Sequence, residues 1–141
     1  MSVIFVDKLD REWTLAVDYH AMRRIAGETG VDFLTEPPVE ALAKVCQSVE
    51  TMVDAVFAVA RPQALRRDIG AYEFAEGFDG QAILRARDAL MEGIVGFFPQ
   101  ADQAMLRSAI EMGRAMETMS RAQSKRVCSA LQDALGSTPG P

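Results

Sequence analysis

From Phe78 to Pro99 the chain reads FDGQAILRARDALMEGIVGFFP, and its apolar residues recur at three- and four-residue steps. Ile83, Ala86, Leu90, Ile94 and Phe97 make one stripe, and Leu84, Met91, Val95 and Phe98 make a second beside it. A helix apolar over so wide an arc belongs inside a protein, so the other elements are expected to pack around this one. Its limits are written in. Asp79 is suited to accept a hydrogen bond from the first-turn amides, and Pro99 disfavours a helical residue before it, which puts the end near Phe98.

The pattern upstream changes period. Val3-Ile4-Phe5-Val6 is β-branched and aromatic, and Trp13, Leu15 and Val17 alternate with Thr14 and Ala16. With polar Asp7-Lys8-Leu9-Asp10 between them, residues 1–18 predict a β-hairpin. A lone hairpin is marginal in water, so its apolar face must rest on helices or pair with another chain. Asp18 then caps a helix with Met22, Ile25 and Ala26 on its buried side, Arg23 and Arg24 on its wet side and Gly30 at its stop. Val31-Asp32-Phe33-Leu34 connects it to Pro38, which suits a first helical turn. From Val39 to Ala60 the apolar phase never slips, which predicts one long helix ended by Arg61-Pro62, with Ser48 as the place for a break. A short helix near Ala71 to Glu76, closed by Gly77, leads into the central one.

After Pro99 a last helix from Gln103 to Leu135 has a looser pattern. Met105, Met112, Met116 and Met119 share one line, and Arg107, Arg114 and Arg121 stand seven apart on roughly the opposite side. Gly136 to Pro141 reads as a disordered tail. The expected architecture is mainly α: an N-terminal β-hairpin, then a compact bundle of about five helices, as one domain over residues 1–135.

Composition adds limits. The 141 residues suit one domain, and 49% hydrophobic with 25% charged residues is ordinary for a globular chain. The net charge of −5 disfavours a general nucleic-acid binder. No apolar run approaches the roughly 20 residues of a membrane helix, and the N-terminus lacks a signal peptide's basic start, so the expected compartment is the cytoplasm. Cys46 and Cys128 read as buried small hydrophobes rather than disulfide partners.

Candidate chemistry is sparse. His20 is the single histidine, so it cannot supply a metal cluster, and no HExxH, CxxC or phosphate-binding loop occurs. Asp7, Asp10, Glu12 and Asp18 on the hairpin, and Glu73, Glu76 and Asp79 near the short helix, are explained by turns and caps. No catalytic, cofactor or metal site is expected, and the protein is read as a non-enzyme. The last helix is locally basic through Arg107, Arg114, Arg121, Lys125 and Arg126, yet has no aromatic residue to stack on bases. Its methionines carry more promise. Flexible, polarisable Met surfaces adapt to partners of different shape, though the same residues also suit a helix–helix core.

Four segments resemble tail assembly chaperone-like proteins of tailed bacteriophages and prophages. These are Phe5-Val6-Asp7 with Arg11-Glu12-Trp13-Thr14-Leu15, Gly30-Val31-Asp32-Phe33-Leu34, Ala60-Arg61-Pro62-Gln63-Ala64, and the central helix ending Phe97-Phe98-Pro99. Together they span roughly Val3 to Ala109, and Leu9-Asp10 departs from the glycine usual in that turn. The resemblance implies a non-enzymatic protein that binds the tape-measure protein, or another tail protein, and keeps its hydrophobic helices soluble during assembly. Met112, Met116 and Met119, with Leu106 or Ile110 beside them, are then the expected client-binding residues. Two other readings stand beside this one. A structural tail or connector protein would pair its hairpin edge in a homo-oligomer, and a regulatory protein would place the basic last helix on nucleic acid.

Overall fold

A computed structural model describes residues 2–136, with side chains through Ala134. Strands β1 (Ser2–Val6) and β2 (Glu12–Ala16) form the hairpin, followed by α1 (Tyr19–Thr29), α2 (Pro38–Cys46), α3 (Val49–Arg66), α4 (Ala71–Ala75), α5 (Gly80–Phe97) and α6 (Gln100–Gly136). The mainly helical architecture with an N-terminal hairpin is as expected. The chain divides into two units, Met1–Leu106 and Arg107–Pro141. Of the expected tail, Gly136 is the last helical residue and 137–141 lie outside the described residues.

The first unit holds the core. The strands pair antiparallel with Phe5 opposite Trp13 and Val3 opposite Leu15. Phe5, Trp13 and Leu15 point inward, while Ile4 and Val6 face outward. The tight turn requires Asp10 to adopt a left-handed backbone (φ 58), a conformation that Asp tolerates where glycine is absent. Asp18 and Asp79 cap α1 and α5 as read, each accepting from the backbone N–H three residues on at 2.8 Å. Gly30 ends α1 with φ 77.

Three expectations about the helices are corrected. The stretch from Val39 to Ala60 is two helices, because Ser48 is extended and its Oγ accepts from the Thr51 N–H at 3.1 Å, starting α3 afresh. The apolar phase hides the break because both helices bury the same side, Leu42 and Val45 before it and Met52 and Val56 after it. The second helix also runs through Arg61-Pro62 to Arg66. Pro62 has no N–H for the Ala58 carbonyl, and the Arg24 guanidinium supplies the donor instead, Nε to O at 2.7 Å. Arg24 is therefore half-buried against α3 and not on a wet face.

The hub is the third correction. α5 is deeply buried, with Ala86, Leu90, Ile94 and Val95 nearly inaccessible, but α3 packs against α1, α2, α4, α5 and β2. Its buried face is rich in small residues, Ala55, Ala58, Ala60 and Ala64. Small side chains let neighbouring elements approach from several directions.

Candidate interaction surfaces

The hairpin turn is the densest polar cluster. Asp7 is 1% exposed and is the one buried charged residue among those described. Its Oδ1 accepts from the backbone N–H groups of Leu9 and Arg11 at 2.9 and 3.0 Å. Its Oδ2 accepts from Arg11 Nε at 2.7 Å and Trp13 Nε1 at 3.0 Å. Burial pushes this carboxyl up, but the hydrogen bonds from Trp13 and Arg11 and the Arg11 charge outweigh it and hold it below its ordinary value. Arg11 also donates to the carbonyls of Glu73 and Phe74 at 3.1 and 3.3 Å, tying the turn to the end of α4. Gly77 completes the cluster. A Cβ there would stand 2.4 Å from Asp7 Oδ2, and its carbonyl accepts from the Lys8 N–H at 2.7 Å.

Aromatic packing surrounds this knot. Phe74 meets Trp13 edge-on at 4.9 Å, Phe57 at 5.0 Å and Phe78 at 5.1 Å. The Arg67 guanidinium lies 4.8 Å from the Trp13 ring centre. A carboxylate accepting four hydrogen bonds, walled by aromatic rings, is committed to holding the hairpin on the helices. The other acidic residues singled out, Asp10, Glu12, Asp18, Glu73, Glu76 and Asp79, are all exposed. His20 is exposed as well, edge-on to Tyr19 at 5.8 Å. Among the described residues no three His, Cys, Asp or Glu side chains are grouped to hold a metal ion.

The hairpin edges are partly occupied. On β2, the Thr14 N–H donates to Gln63 Oε1 at 3.0 Å and the Glu12 carbonyl accepts from Arg67 at 2.8 Å. On β1, the Val6 carbonyl accepts from Arg85 Nε at 2.9 Å. Side chains thus blunt both edges, one of the devices by which edge strands avoid pairing with other chains.

The second unit consists of α6 from Arg107 onward, and every residue from Glu111 to Ala134 is exposed. Met112, Met116 and Met119 are 66%, 65% and 71% exposed. Of the expected client-binding residues, the structure brings these three onto one open line and leaves Ile110 half-buried, while Leu106 is fully buried in the core. Cys128 is exposed and Cys46 half-exposed, so neither is the buried hydrophobe expected, and neither forms a disulfide. Extending the three- and four-residue steps past Met119 reaches Gln123, Val127, Ala130 and Ala134. That continuation was visible in the sequence, but alanine and one glutamine dilute its apolar signal. On the opposite line Arg107, Arg121 and Lys125 are exposed.

No protein-family model, curated protein or solved structure matches the chain. Among the described residues no helix is long and apolar enough to cross a membrane.

Proposed function

We propose that the protein is a non-enzymatic tail assembly chaperone that binds the tape-measure protein and keeps its apolar helices soluble. The observation that carries this reading is the line Met112, Met116, Met119, more than three-fifths exposed on a helix whose residues from Glu111 to Ala134 are all exposed. Methionine is unbranched, with a polarisable sulfur, so a Met surface repacks against client helices of differing shape. Covering such a face stabilises a complex by about 25 cal/mol per Å2 of apolar area removed from water, a gain that long client helices multiply. The segments resembling tail assembly chaperones supply the class of client, and the face supplies the means. The blunted hairpin edges favour this reading over a ring of subunits joined edge to edge.

Co-expression with the tape-measure protein of the same gene cluster tests it. The expected result is a co-purifying complex and a client that is insoluble alone. A client equally soluble without this protein, and no complex, would overturn the proposal.

A second reading has its own observation in the exposed line Arg107, Arg121, Lys125. Binding of nucleic acid through that line would fall steeply with salt, whereas client capture through methionines would persist.

A further inference from the structure

Among the described residues the methionines divide by element. Met22, Met52 and Met91, on α1, α3 and α5, are at most 7% exposed, whereas Met105, Met112, Met116 and Met119, all on α6, are at least 61% exposed. An oxidant must reach the sulfur, so a thioether packed in a core is shielded and one in water is not. The division therefore separates the methionines that hold the fold from those that an oxidant meets first.

We propose that α6 is a reversible oxidation switch, in which peroxide converts its methionines to sulfoxides and turns off client capture while the first unit stays folded. The switch rests on the client-binding reading above. The sulfur lone pair attacks one peroxide oxygen and the O–O bond breaks. Sulfur keeps that oxygen and is oxidised by two electrons, while the other oxygen leaves as hydroxide and takes up the remaining proton to become water. Two thiols of a reductase reverse the step, removing the oxygen as water and closing a disulfide between themselves.

The product is polar where the thioether was apolar. Met112, Met116 and Met119 lie on one helical line, so three oxidations change a single face together. A client helix laid on that face would have to desolvate three sulfoxide oxygens without offering them donors. The fold is spared for the opposite reason. A sulfoxide at Met22 would put an unsatisfied oxygen in the core, and the packing that buries Met22 keeps peroxide from it. Leucines would give an equally apolar line on α6, but one without this chemistry.

The test uses the full-length protein carrying Cys46→Ser and Cys128→Ser, so that thiol oxidation contributes nothing. After brief treatment with hydrogen peroxide, peptide mass mapping should find one added oxygen at each of Met105, Met112, Met116 and Met119 and none at Met22, Met52 and Met91. The urea midpoint should not move. The oxidised protein should no longer hold purified tape-measure protein in solution on dilution from denaturant. Treatment with the methionine sulfoxide reductases, one for each sulfoxide epimer, should restore that capacity. Equal oxidation of the buried methionines, or a lowered midpoint, would refute the division on which the switch depends. Undiminished capture after oxidation, or a loss that the reductases do not reverse, would overturn the switch and leave the chaperone reading standing. Failure of the untreated protein to hold the client would overturn that reading, and the switch with it.

Discussion

Arg24 stands in for the hydrogen bond that Pro62 cannot make. Pro62 lies inside α3, four residues after Ala58, and the Ala58 carbonyl accepts from Arg24 Nε at 2.7 Å. An arginine of α1 thereby allows α3 a proline within its last turns, and α1 and α3 are joined by the same contact. Arg24→Met should cost about 1–2 kcal/mol in urea denaturation, because a half-buried carbonyl loses its donor. In a Pro62→Ala background the cost should shrink, since the restored N–H reaches the same oxygen. A double-mutant cycle reads the coupling directly. Equal costs in both backgrounds would show that Arg24 acts by packing alone.

Asp7 makes the second prediction, through charge. Asp7→Asn should destabilise by about 3 kcal/mol, because it leaves the partly buried Arg11 guanidinium without its counter-ion and sets an amide against donors. The pH dependence follows from the depressed carboxyl. A group whose folded value lies below its unfolded value, ordinarily near 3.9, adds stability that is fully present above that ordinary value. The contribution fades as pH falls through the lower folded one. Denaturation midpoints of the natural protein should therefore drop in acid below about pH 4, and those of Asp7→Asn should drop less. Parallel curves for the two proteins would remove Asp7 as the source.

Much of this arrangement was legible in the chain, and the misses share a cause. Asp18, Gly30, Pro38 and Asp79 act on their own neighbours within a turn, so their roles could be read locally and stand as expected. Pro62 was misread because its compensation comes from Arg24, on another element. The Ser48 break was hidden because apolar spacing reports which side of a helix is buried and not whether its hydrogen bonds continue. Asp7 could be recognised as a turn residue, but its bonds to Trp13 and its contact with Gly77 need the fold. On α6 the stripe was readable, and whether it was core or surface was not. The exposure of every residue from Glu111 to Ala134 decides that.

Gly93 and Val17 give a packing prediction. A Cβ on Gly93 would stand 2.7 Å from Val17 Cγ2, where α5 passes the chain leaving β2. Gly93→Ala should gain helix propensity yet lose about 1–3 kcal/mol to overpacking. Val17→Ala removes the offending methyl groups, so the double variant should be more stable than the sum of the two single changes. Thermal or urea unfolding of the four proteins checks this. Strict additivity would mean that the helix shifts to relieve the contact without involving Val17.

The last prediction separates folding from function on α6. Met112, Met116 and Met119 are exposed, so changing all three to Gln removes no buried side chain. Each change at an exposed position away from the core should alter stability by no more than about 0.5 kcal/mol. Glutamine is also a good helix former, so helix content by circular dichroism should hold. The same variant should lose client capture, measured as the soluble yield of co-expressed tape-measure protein, because its amides prefer water to an apolar helix. Loss of stability together with capture would mean that the methionines support the fold. Full capture by the variant would move the client site off this line.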